Sequence, residues 1–121
     1  MVIVLLACLC GGLGAALRWQ MSALLGKSAG GFARGTLAVN FLGSFIAGVI
    51  VCPELQLSAA VQMAAVTGFC GGLTTFSTFS KDCVSAFLRC QFSGGFSMIV
   101  IQALGCPALV WAGIEAGRML V

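Results

Sequence analysis

Nine charged side chains divide an otherwise apolar chain: Arg18, Lys27, Arg34, Glu54, Lys81, Asp82, Arg89, Glu115 and Arg118. Between them lie long uncharged runs at 1–17, 35–53, 55–80 and 90–114. A helix crossing the hydrocarbon of a bilayer needs about 20 apolar residues, with roughly 17 as the lower limit. All four runs meet that requirement. The pattern therefore predicts four membrane-spanning helices, over approximately 2–25, 35–52, 57–88 and 94–116. What remains is turn-like: Gly26–Gly31, Cys52–Ser58 with its Pro53, and Gln91–Gly95. No soluble domain fits between the helices, so residues 1–121 read as a single four-helix transmembrane domain.

Composition supports this. The chain is 60% hydrophobic and 7% charged, with a mean hydropathy of +1.13. A soluble domain of this length carries roughly 25% charged residues, because a small globule is mostly surface. Residues 1–17 carry no side-chain charge, unlike the basic start of a signal peptide, so the first helix is expected to be retained. The seven cysteines are scattered and fit neither a zinc site nor a disulfide framework; they read as small apolar residues. The net charge of +3 is dispersed, which argues against nucleic acid and for a topology signal. With four spans, the side bearing loops 1–2 and 3–4 claims most of the Lys and Arg. The positive-inside rule places that side in the cytoplasm and both termini outside.

The chain has no histidine, and no carboxylate lies within an uncharged run; Asp82 and Glu115 stand at run ends and Glu54 in a loop. Proton relays use buried Asp, Glu or His, and nucleophilic catalysis needs a base beside its Ser or Cys. An enzyme and a proton-coupled exporter are both unexpected.

Each helix carries its own polar or small-residue signature. In the first, Gly11/Ala15 and Gly12/Ala16 are four apart, the spacing at which small residues let helices approach closely. Gly14 and Arg18 share that spacing and offer an alternative, an opening toward a polar vestibule. The Arg18 guanidinium either snorkels to the interface or attracts anions. On the second helix Thr36, Asn40, Gly43 and Ala47 share one face. The mid-span Asn40 amide needs partners, and two are open to it: an interhelical bond or a passing anion.

The third helix, TGFCGGLTTFSTFS over 67–80, is the most informative. Paired glycines at 71 and 72 invite a break, and broken helices in membranes occur where backbone lines a cavity or binds an ion. Five of the seven residues from Thr74 to Ser80 bear hydroxyls, interleaved with Phe76 and Phe79. The edge of a phenyl ring is positive. Ring edges beside hydroxyls make several weak contacts for an anion, as conduction requires. In the fourth helix Gln102 is mid-span, followed by Gly105, Cys106 and Pro107, which should kink it. Gln102 is either an interhelical bond or a second contact to the same ion.

At these residues the chain resembles the CrcB/Fluc family of bacterial fluoride channels, through GGLGAALRW (11–19), GTLAVNFLGSFIAG (35–48) and TGFCGGLTTFSTF (67–79). The resemblance implies an all-α integral membrane protein of the bacterial inner membrane, with four transmembrane helices per subunit and the third broken in mid-membrane. It implies passive export of fluoride through two pores in an antiparallel, dual-topology homodimer with a structural sodium ion at its centre. Carried over by position, Asn40, Phe76, Phe79, Ser77, Thr78 and Gln102 would line the fluoride path and Arg18 the vestibule. The backbone carbonyls of Gly71 and Thr74 would hold the sodium. The fourth helix departs from the family pattern: Gln102 and Cys106 fill positions usually held by asparagine or serine, and no tyrosine is present. The charge bias also sits awkwardly with dual topology. A homologous subunit of opposite orientation is therefore an alternative partner, alongside membrane lipid and without nucleic acid.

Overall fold

The computed structural model describes residues 1–26 and 33–121. Lys27 and most of the expected turn Gly26–Gly31 lie outside the described residues. Among the described residues, four helical stretches are long and apolar enough to cross a membrane: Val2–Leu25, Arg34–Val51, Ala59–Leu88 and Phe92–Met119. At about 1.5 Å per residue, the shortest, of 18 residues, reaches about 27 Å, close to the roughly 30 Å hydrocarbon layer. Among the described residues there is no strand.

Local chemistry sets the ends of these spans. The second span stops at Val51, and Pro53 opens a single tight turn, Pro53–Leu55, where the missing proline N–H costs nothing. Ser58 starts the third span as an N-cap, its side chain accepting from the Val61 N–H at 3.4 Å. That span ends at Leu88, and Cys90 turns the chain with a positive φ of 57°. The fourth span runs unbroken through Pro107.

The third span is not a uniform helix. It begins as an α-helix over Ala59–Gln62, widens to a π-helix over Met63–Cys70, and tightens again over Gly71–Leu73. Thr74 (φ −79°, ψ 155°) and Thr75 (φ −152°, ψ 116°) are extended, and an α-helix resumes at Phe76–Leu88. Gly71 and Gly72, where the sequence places the interruption, are themselves helical. Gly72 serves packing instead: a Cβ there would fall on the Gly11 carbonyl oxygen of the first span. Gly14 returns the contact, since its Cβ would meet the Phe69 carbonyl and stand 2.8 Å from the Leu73 nitrogen. Close backbone approach between the first and third spans is therefore what these glycines provide, as small residues do in lipid.

The second span is the most enclosed, with Thr36, Leu37, Val39, Asn40 and Gly43 buried. It packs chiefly on the fourth span, while the first span packs on the π-helical part of the third. Phe79, Asp82, Cys83 and Ala86 form the buried face of Phe76–Leu88, at the i, i+3, i+4, i+7 positions of a helical stripe. Phe79 and Cys83 join Ala33, Leu37 and Met98 in a compact core. Leu5, Leu9, Leu13, Leu104 and Trp111 point outward and are well over half exposed. Such faces suit hydrocarbon as solvent.

Candidate functional site

The two extended threonines are held by a side chain from another span. The Asn40 Oδ1 accepts from the Thr75 N–H at 2.7 Å, and the Asn40 Nδ2 donates to the Thr75 carbonyl at 3.1 Å. Both partners are buried, Asn40 being 3% and Thr75 7% exposed. The asparagine thus replaces the helical acceptor that the Thr75 N–H loses at the interruption and adds a donor to the Thr75 carbonyl, which is the interhelical reading of the sequence. One N–H of its amide remains, because a primary amide carries two.

The Thr75 side chain caps the helix that follows. Its Oγ1 accepts from the Thr78 N–H at 3.2 Å and donates to the Thr78 Oγ1 at 3.0 Å. Ser77 Oγ stands 3.3 Å from the same oxygen. On the other side of the interruption, Thr74 closes the preceding helix, its N–H and Oγ1 both donating to the Cys70 carbonyl at 2.9 Å. The carbonyls of residues 71–74 thereby lose their helical donors, and for two of them the structure shows where the donor goes. In an uninterrupted helix Gly71 would accept from the Thr75 N–H and Thr74 from the Thr78 N–H; Asn40 and the Thr75 hydroxyl take those donors instead. The Thr74 carbonyl accepts from the Arg18 Nη1 at 3.3 Å.

Beside the interruption lies a cavity of about 210 Å³ lined by Asn40, Ser44, Thr74, Thr75, Phe76, Gln102 and Cys106. The structure therefore gathers Asn40, Thr74, Phe76 and Gln102, with Arg18 bonded to their edge. Within it the Gln102 Oε1 is buried without a hydrogen-bond partner among the described residues. A buried acceptor left so costs about 1–3 kcal/mol, which favours a donor entering the cavity or a half-turn of the amide. The two phenylalanines separate: their ring centroids are 5.9 Å apart at 46°, but Phe79 is 7% exposed in the core and Phe76 is 76% exposed. Phe79, Ser77, Thr78 and Gly71 are not part of the cavity wall.

Thr78 lines a second polar cavity, of about 240 Å³, with Ser22, Gly26, Ala33, Gly35, Thr36, Lys81 and Asp82. Asp82 is 4% exposed inside the third span, and its Oδ2 accepts from the Thr36 Oγ1 at 2.8 Å. Asp82 stands at the end of an uncharged run in the sequence, and the structure buries it within the span. Sequence reasoning missed it, and missed Thr75 and Ser44. The signal for Asp82 was its register, three residues after Phe79 on the buried stripe.

At the opposite end of the molecule, outside the spans, Glu54 accepts from the Cys52 thiol at 3.0 Å and from the Arg118 Nε at 3.0 Å. The thiol hydrogen bond, helped by a backbone N–H and the Arg118 charge, holds its carboxyl below the usual carboxylate range.

Four apolar spans enclosing a polar cavity beside an interrupted helix define a small multi-span helical membrane protein. The chain belongs to the family described as "CrcB-like protein, Camphor Resistance (CrcB)", which matches residues 5–114. It is 38% identical over 105 residues to a Haemophilus influenzae protein named "Fluoride-specific ion channel FluC", covering 84% of this chain and 66% of that one. It is 37% identical over 110 residues to the Chromobacterium violaceum protein of the same name, covering 88% and 87%. Against the Albidiferax ferrireducens protein of that name it is 34% identical over 124 residues, covering 100% and 95%.

Proposed function

We propose that this chain is a subunit of a fluoride-selective channel that lets fluoride leave the bacterial cytoplasm passively across the inner membrane. It is a channel and not an enzyme. The observation that carries the reading is the Asn40 clamp on Thr75, which fixes an interruption of the third span beside a polar cavity. The shared name of the relatives supplies the ion.

The interruption lies in mid-membrane on this reading. The second N–H of Asn40, the hydroxyl of Ser44 and the Gln102 amide offer fluoride replacement donors for its water shell. The edge of Phe76 adds a weak contact, and the Thr75–Thr78 hydroxyl chain leads toward the second cavity and its Lys81. Phe76, exposed on one subunit, gains its environment from a partner, as an antiparallel homodimer with two pores provides.

A structural sodium ion fits the residues present. The carbonyls of Gly71 and Thr74 have given up their helical donors, and carbonyl oxygen suits a hard cation. Those two carbonyls would hold the ion where subunits meet, and its charge would offset the carbonyl dipoles gathered there.

Fluoride efflux from proteoliposomes tests the site. Phe76→Ile and Asn40→Asp are expected to cut efflux at least about tenfold, the first by removing a contact and the second by replacing a donor with a like charge. Efflux untouched by both changes would dismiss this path.

A further inference from the structure

Thr74 is a place where two cations meet one acceptor. Its carbonyl is assigned above to sodium, and the same oxygen accepts from the Arg18 Nη1 at 3.3 Å. We propose that Arg18 competes with sodium for the Thr74 carbonyl, so that a lone subunit carries its own cation there and releases it on pairing. This rests on the sodium-linked pairing proposed above.

The hydrogen-bond donor to this carbonyl is Arg18. It lies inside the first span, part-buried, in a stretch from Val2 to Leu25 with no other charged side chain. A guanidinium at such a depth needs an acceptor, and its one hydrogen bond among the described residues reaches across 56 positions to Thr74. The carbonyl is open to receive it because the Thr78 N–H, its donor in a continuous helix, is bonded to the Thr75 Oγ1. Asn40 opens the Gly71 carbonyl in the same way. Gly71 is exposed, and its nearest neighbour to an added Cβ is the Val66 carbonyl at 3.7 Å. One carbonyl of the pair is thus met by Arg18, and the other belongs to an exposed residue.

A second cation at the Thr74 oxygen would stand within a few ångströms of the guanidinium. At the effective dielectric of a protein such a pair of like charges disfavours joint occupancy by tenfold or more, on the order of 332/(εr). Arg18 must therefore swing away, or sodium binds more weakly than the carbonyls alone allow. A displaced Arg18 carries its charge off the interruption as the subunits join, which couples pairing to the position of a positive side chain beside the cavity.

The test is a sodium titration at constant ionic strength, with choline as the replacement cation, reading the dimer fraction of the purified chain by two-colour photobleaching in liposomes. The wild type is expected to pair with a sodium midpoint, and Arg18→Gln to lower that midpoint by about tenfold or more. Arg18→Lys, which keeps the charge, should stay near the wild type, an outcome a purely structural role does not predict. Helicity and gel-filtration retention at saturating sodium check the fold, and Arg18→Met replaces the glutamine variant if that one aggregates. An unchanged or raised midpoint in the uncharged variant overturns the competition while leaving sodium-linked pairing intact. Wild-type pairing indifferent to sodium overturns both.

Discussion

Asn40 carries most of the weight at the scale of single residues. Its amide accepts from the Thr75 N–H, which has lost its helical acceptor, and also donates to the carbonyl of that threonine, which is 7% exposed. Asn40→Ala leaves the Thr75 N–H buried and unmet, at about 1–3 kcal/mol. A clear drop in thermal stability in detergent, together with lost fluoride efflux, is the expected outcome; an unchanged melting temperature would show that water replaces the amide. The need of Asn40 for partners was legible from its mid-span position, because a bare amide in hydrocarbon is costly. Its partner was not. Thr75 lies 35 positions away in sequence, and no local pattern pairs the two. Asp82 was not singled out for a different reason: it stands outside the uncharged run, while its register on the Phe79–Ala86 stripe puts it on the buried face.

The elements were legible from the long uncharged runs and the turn-like segments between them, with spans that differ from the observed ones by only a few residues at their ends. Charged residues are expensive in hydrocarbon, so they gather toward the helix ends, while Arg18 and Asp82 lie inside spans and hydrogen-bond there. The location of the interruption was less legible. Paired glycines suggested residues 71–73, but glycine also permits close helix contact, and at Gly72 contact is its use. Gly72→Val should push the first and third spans apart and cost about 1–3 kcal/mol through overpacking, read as a lower melting temperature. Gly71→Ala should be tolerated by the isolated subunit, since its nearest neighbour stands at 3.7 Å. A loss of pairing in that variant would then report a contact outside the subunit.

The turn after the second span gives a pH-dependent tie between elements. Glu54 joins the buried Cys52 to Arg118 near the end of the fourth span. Its carboxyl is held below the ordinary range, first by the thiol hydrogen bond. A lowered folded-state value means the tie is fully present above the unfolded carboxylate value and is lost as pH falls through the lowered one. Melting temperatures of the wild type and Glu54→Gln should differ at neutral pH and converge in acid. A difference that persists at the acid end would contradict the assignment.

For the whole molecule, the decisive feature is how little of it is enclosed. Leu5, Leu9, Leu13, Leu104 and Trp111 face outward, and so does Phe76, beside the cavity that Asn40 and Gln102 line. A bilayer accounts for the first group, and on the proposed pairing a partner subunit would cover the ring beside the cavity. The buried Asp82 makes coupling to protons the natural rival of passive conduction, and the two differ in what drives the ion. The most direct measurement is fluoride efflux from liposomes holding only this chain, with an ionophore that abolishes any pH gradient and with chloride as the competing anion. Passive, fluoride-selective conduction predicts rapid efflux that continues without the pH gradient and is not matched by chloride. Efflux that stops when the pH gradient collapses, or chloride passing as readily as fluoride, would contradict the account.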